Sequence, residues 1–182
     1  SEKRDKGDKI KIISVGSLIS VKNQNLQLQI SKNLLEAGVK FELNIVGEGE
    51  DRDYLSKKIL ELNLQNNVNL IGHSNEVPKL LSQNNIFLHT APYEAFGLVL
   101  IEAMANRLPI IALNGLGNID IIQDGINGFI INQQEPNLFL EKILKIWNDQ
   151  TEYKKMTDNA YQRSKFYDIV PYIDNLIKIY ET

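Results

Sequence analysis

The chain contains no cysteine, which excludes disulfides, thiolate metal ligands and a cysteine nucleophile. It has no excess of positive charge either: 20 Lys and Arg stand against 23 Asp and Glu, a net charge of −3. No basic field exists to gather nucleic-acid phosphates, so no nucleic-acid partner is expected. There is no apolar run of bilayer-spanning length and no apolar leader, so neither a membrane span nor a signal peptide is expected. Asparagine is abundant, yet no Asn-x-Ser/Thr triplet occurs, in keeping with a cytoplasmic setting. The two histidines, His73 and His89, are not paired at ligand spacing on a helix, which argues against zinc. No Gly-x-Gly-x-x-Gly follows the first apolar run, and no Walker-type lysine motif appears. These absences argue against a dinucleotide enzyme and a P-loop phosphotransferase.

What is present reads as one α/β domain. The 182 residues, 43% hydrophobic and 24% charged, suffice for a single substantial core. The first nine, Ser1 to Lys9, are nearly all polar or charged and read as a linker, leaving 10–182 as the domain. From Ile10 onward, short apolar runs alternate with segments of helical period. The pattern predicts strands over 10–15, 41–46, 68–71, 86–89, 109–113 and 128–131. It predicts helices over 25–37, 53–62, 76–83, 97–106, 118–123, 136–148, 152–166 and 171–180. Strands that are apolar throughout indicate a parallel sheet covered on both faces. The expected fold is thus a Rossmann-like, doubly wound, six-stranded parallel sheet flanked by helices. Ligands of such sheets sit beyond the carboxyl ends of the strands. That directs attention to the loops at 16–22, 47–50, 72–75, 90–97 and 114–120.

One of these loops leads into the most informative segment, Pro92-Tyr93-Glu94-Ala95-Phe96-Gly97-Leu98-Val99-Leu100-Ile101-Glu102-Ala103-Met104-Ala105. From Phe96 to Ala105 a single charge, Glu102, interrupts an otherwise apolar or small run. A helix apolar on all sides is a buried helix, so Glu102 is expected to be buried and to need a partner. Helical side chains lean toward the helix start, which carries Glu102 back toward Glu94. There the free N–H groups of the first turn attract an anion such as phosphate. Carboxylates beside it suit hydroxyl groups, such as those of ribose and a sugar. Taken alone, the two acids read as a loop residue and a structural ion pair rather than as a site.

The segment resembles the glutamate-seven-residues-glutamate signature of retaining glycosyltransferases of the GT4 family (glycosyl transferases group 1), whose fold is called GT-B. Val15-Gly16-Ser17-Leu18 with Lys22 looks like that family's first strand and phosphate loop. Ile45-Val46-Gly47-Glu48-Gly49 resembles its second-strand motif, and Val68-Asn69-Leu70-Ile71-Gly72 its third. Leu108-Pro109-Ile110-Ile111-Ala112 and Asp124-Gly125-Ile126-Asn127-Gly128 follow in the family's order.

The resemblance implies one half of a GT-B fold that binds a nucleoside diphosphate sugar, with no metal or other cofactor. It implies that Lys22 contacts the diphosphate, Glu94 the transferred sugar and Glu102 the ribose diol. Backbone at Gly97 and Leu98 would cradle phosphate. Gly16 and Ser17 would contribute from the first loop, Gly47 and His73 would lie near the base, and Tyr93 would line the pocket or pack. It also implies retention at the anomeric carbon, an N-terminal acceptor domain and a carbohydrate or lipid-linked acceptor. A role in bacterial polysaccharide or glycoconjugate synthesis follows, peripheral at the inner membrane through that second domain. The chain departs from the pattern at Ser17, where the family has arginine. It departs again at Asn23 and Arg107, where the family has glycine, and at Asp120, where it has glutamate. The loop Asn114-Gly115-Leu116-Gly117 lacks the usual adjacent glycines. Two other readings stay open: a non-catalytic nucleotide-sugar-binding domain, which the missing arginine favours, and a sugar-nucleotide epimerase of the same fold.

Some signals carry blander readings. Asp51-Arg52-Asp53 spells a metal-binding triplet of a different glycosyltransferase fold, but here it opens a helix, where acids favour the positive end. Arg107 reads as a surface cation at a helix end. Phe139, Ile143, Ile146 and Trp147 recur at helical spacing and read as core.

Overall fold

The computed structural model describes residues 9–94 and 96–167. Strands and helices alternate as β1 (Ile10–Val15), α1 (Gln24–Glu36), β2 (Phe41–Val46), α2 (Arg52–Glu61), β3 (Val68–Gly72), α3 (Val77–Ser82), β4 (Ile86–His89) and α4 (Leu98–Ala105). They continue as β5 (Ile110–Leu113), α5 (Asn118–Ile121), β6 (Gly128–Ile131), α6 (Pro136–Asn148) and α7 (Gln150–Ser164). The strands form one parallel sheet in the order β3-β2-β1-β4-β5-β6, the doubly wound arrangement expected. Winding reverses between β1 and β4, which places a crevice at their carboxyl ends.

Helices cover the sheet on both faces. On one face, Ile12, Leu28, Leu34, Leu43, Ile111 and Phe139 pack in a shared core, with α1 against α6. On the other, Ile13, Phe87, Leu100, Met104, Ile110 and Ala160 pack together, with α4 against α7. Each fully buried Leu or Met contributes about 2 kcal/mol. The central strands β4 and β5 are buried at every residue, whereas β3, at the sheet edge, leaves Asn69 and Ile71 exposed. Asn69 there donates to Asn44 at 3.0 Å and to Glu42 at 3.2 Å, a polar patch in place of a helix.

Element ends differ from expectation where a local group decides them. The helix predicted from residue 152 begins at Gln150, because the Asp149 carboxylate accepts from the backbone N–H groups of Thr151 and Glu152 at 3.0 and 2.9 Å. Lys9, assigned to the linker, donates to Glu42 at 3.1 Å. The rest of that linker and the helix expected over 171–180 lie outside the described residues.

The expectation of an all-round buried helix at α4 is wrong. Leu100, Ala103 and Met104 are fully buried, but Leu98, Glu102 and Ala105 are exposed. These three sit at i, i+4 and i+7, one face of the helix. The sheet and α7 cover the opposite face. Glu102 therefore needs no buried partner, and among the described residues no ion pair holds its carboxylate.

Candidate functional site

A cleft of about 420 Å³ lies at the carboxyl ends of β1 and β4. Gly16, Ser17 and Lys22 form one wall and Glu94, Leu98 and Glu102 another, with Val77 and Pro78 at the start of α3 closing a third side. The N-terminus of α4 opens into it, and first-turn N–H groups have no intrahelical acceptor.

Lys22 enters from a 3-10 turn, Ser20–Lys22, whose next residue, Asn23, takes a left-handed φ of 52°. The Thr90 hydroxyl, fully buried, lies 3.0 Å from the carbonyls of both Lys22 and Asn23. It donates to one of them while accepting from Gln27 Nε2 at 2.9 Å. The same Gln27 nitrogen donates to Ser14 Oγ at 2.9 Å. A buried polar network thus fixes the backbone from which the lysine projects.

Lys22 Nζ pairs with Glu94 Oε2 at 2.7 Å, the two side chains being 24% and 16% exposed. Beneath them His89, at the end of β4, places Nε2 3.7 Å from the same Glu94 oxygen. His89 is buried, and this Nε2 has no hydrogen-bond partner. Desolvation lowers its pKa from 6.5 to about 4, with Glu94 raising and Lys22 lowering it by smaller amounts. The imidazole is therefore neutral at pH 7.

Two glycines let the loops converge. Gly47 adopts φ 141° directly against the Gly16 carbonyl oxygen, and Gly117 adopts φ 87° against the Glu94 carbonyl. A Cβ at either position would overlap that oxygen. Glu94 is also held by its N–H, which donates to Leu116 at 3.0 Å.

Of the residues expected at the site, Gly16, Ser17, Lys22, Glu94, Leu98 and Glu102 line the cleft. Gly97 immediately precedes α4 as its left-handed cap residue, φ 59°. Gly47 buttresses the Gly16 loop without lining the cleft. His73 is exposed, with Nε2 3.1 Å from Asn75 Oδ1, and Tyr93 faces outward beside Leu116. Sequence reasoning missed Val77, Pro78 and Phe96 in the lining. Pro78 at a helix start beyond a ligand-side loop was the available signal. Arg52 pairs with Glu48 at 2.7 Å and Asp53 lies in the first turn of α2, so that triplet opens a helix. No cluster of three or more possible metal ligands occurs among the described residues.

Residues 1–163 match the model of the glycosyl transferases group 1 family. The chain belongs to that family. Among its group 1 relatives, the poly(glycerol-phosphate) alpha-glucosyltransferase of Bacillus subtilis is 27% identical over 169 residues, 92% of this chain and 25% of its own length. In structure, the chain superposes on a variant of TarM from S. aureus, in complex with Fondaparinux, alpha-GlcNAc-glycerol and UDP, with a TM-score of 0.84. That match has 24% identity and covers 100% of this chain and 38% of TarM. Anabaena HepE in complex with UDP-glucose gives a TM-score of 0.85 at 22% identity, covering 96% of this chain and 49% of HepE. The likeness at these identities concerns the fold, a Rossmann-like half of larger glycosyltransferases. The chain spans from about a fifth to under half the length of the curated relatives it matches. Among the described residues no helix is long and apolar enough to cross a membrane.

Proposed function

We propose that this chain is the nucleotide-sugar-binding domain of a GT4-type, retaining glycosyltransferase that moves a hexose-type sugar from a nucleoside diphosphate to an acceptor hydroxyl. The observation that carries this reading is the meeting of Lys22, Glu94, Glu102 and the α4 N-terminus in one cleft. Membership of the group 1 family supports it. In this reading Lys22 and the first-turn N–H groups of Gly97 and Leu98 hold the diphosphate. Glu94 accepts hydrogen bonds from the sugar hydroxyls, and exposed Glu102 accepts from the ribose diol. Gly16 and Ser17 face the phosphates.

Transfer breaks the bond between the anomeric carbon and the phosphate oxygen and forms one to the acceptor oxygen. Negative charge accumulates on the departing diphosphate, where Lys22 and the helix amides stabilise it. The acceptor's proton passes to that phosphate oxygen. Retention rests on the resemblance of the segment from Glu94 to Glu102 to the signature of retaining enzymes. UDP in the HepE and TarM complexes favours uridine as the base. A second domain, supplying contacts to a carbohydrate or lipid-linked acceptor, is part of the same reading, as is a role in bacterial polysaccharide synthesis. No metal is required by it.

Calorimetry with UDP-glucose tests the assignment. Glu102→Ala is expected to weaken binding by about 1–3 kcal/mol, the cost of removing a charged hydrogen-bond acceptor. Unchanged affinity rejects the ribose role. Ser17 in place of the family's arginine favours a second reading, a binding domain without turnover. Normal donor affinity with no sugar transfer by the full-length protein would select it.

A further inference from the structure

Glu94 Oε2 faces two nitrogens. Lys22 Nζ occupies it at 2.7 Å, and His89 Nε2 waits at 3.7 Å, beyond hydrogen-bond range. If Lys22 serves the diphosphate, as the reading above requires, its ammonium must turn away from Glu94. The carboxylate then loses its cation at the moment a sugar closes over it and excludes water. Sugar hydroxyls then donate to it from the cleft, but Oε2 of this carboxylate, only 16% exposed, loses the protein donor it had, which is costly to leave unreplaced.

The structure supplies a replacement. His89 is 4% exposed, and its Nε2 is buried without a partner. An unsatisfied buried nitrogen is uncommon and calls for a cause. The ring has little room to seek another acceptor. It stands beside fully buried Phe87, the two ring centroids 6.4 Å apart. Next to it, Thr90 is fixed by Gln27 and by the Lys22–Asn23 backbone. Closing the gap takes a displacement of under about 1 Å by the Glu94 carboxylate to reach normal hydrogen-bond distance.

We propose that His89 is a positioning residue: when Lys22 turns to the diphosphate, His89 Nε2–H takes over as donor to Glu94 Oε2 and holds that carboxylate against the sugar. The proposal rests on the donor-site reading and deepens it, assigning a role to the buried ring below the ion pair. The nucleotide itself does not touch His89. Its effect should appear only with ligands that draw Lys22 away and present a sugar.

Titration of the protein with UDP-glucose and with UMP, which lacks the distal phosphate and the sugar, separates the possibilities. In His89→Leu, UDP-glucose affinity is expected to fall about tenfold, the scale of one hydrogen bond to a charged group, with UMP affinity within about twofold of the unaltered protein. In His89→Gln, whose amide again offers an N–H, UDP-glucose affinity is expected to recover to within about threefold. Equal losses for both ligands, no loss for UDP-glucose, or no recovery in His89→Gln overturns the proposal. If the leucine variant does not fold, His89→Gln decides alone: near-normal UDP-glucose affinity supports the role, and a loss shared with UMP ends it. Failure of the unaltered protein to bind UDP-glucose overturns the donor-site reading itself, and this inference with it.

Discussion

His89 couples the fold to pH. In the unfolded chain its imidazole regains its ordinary value of 6.5, against about 4 when buried. Because the folded pKa is depressed, the unfolded state binds the proton first as pH falls. Stability is complete above about pH 6.5, declines through the interval down to about 4, and is lower by roughly 3 kcal/mol below it. Urea midpoints at pH 7.5 and 5 should therefore converge in His89→Gln relative to the unaltered protein; identical pH dependence in both would refute the burial effect. The histidine was visible in the sequence only as a strand end on the ligand side. It packs beside Phe87 and below the loops that bring in Lys22 and Glu94, a setting which no local pattern reveals. Arg107 is a similar case. It adopts a left-handed φ of 59°, as does Asn23 at 52°, so both family glycines fall where the backbone favours glycine. Arg107 compensates by pairing with Asp158 and stacking its guanidinium 4.2 Å from the Tyr161 ring centre. A partner 51 residues away could not be read from a helix-end position.

At the scale of elements, α4 shows where hydrophobic period misleads. Leu98, Val99, Leu100 and Ile101 suggested burial on every side, yet Leu98 is 66% exposed and Phe96 just before it 80% exposed. Apolar content at the mouth of a cleft resembles apolar content in a core until the sheet's placement is known. Both acids, which line the cleft, were nevertheless legible, because the segment carrying them resembles the family signature; their spacing alone did not single them out. The opposite error occurs at α7, where polar residues 149–151 hid a helix start. Asp149→Ala should remove that cap and lower stability by about 1 kcal/mol, read as a reduced urea midpoint with an unchanged slope. An unaltered midpoint would show that Thr151 and Glu152 find acceptors elsewhere.

For the whole molecule, the doubly wound parallel sheet and a cleft beyond its carboxyl ends follow from the alternation of strands and helices, whereas the strand order comes from the structure. What the sequence did not show was the third wall, since Val77 and Pro78 reach the cleft only after β3 takes its edge position. Exposed Phe96 and Leu98 line the cleft, and exposed Tyr93 and Leu116 lie side by side on the adjoining loops. Residues 1–182 alone are expected to bind UDP yet to transfer no measurable sugar from UDP-glucose in a radiolabel assay. Turnover by these residues at a rate comparable with the full-length enzyme would show that no second domain is needed.

The ladder between β1 and β4 has only two registered pairs, Ile12 with Ile86 and Ile13 with Phe87. Where it stops, the Gln27 amide bridges Ser14 and Thr90. That amide acts as a rivet between the sheet's two wings. Spreading them to widen the crevice would have to break both of its hydrogen bonds, so the amide resists that opening.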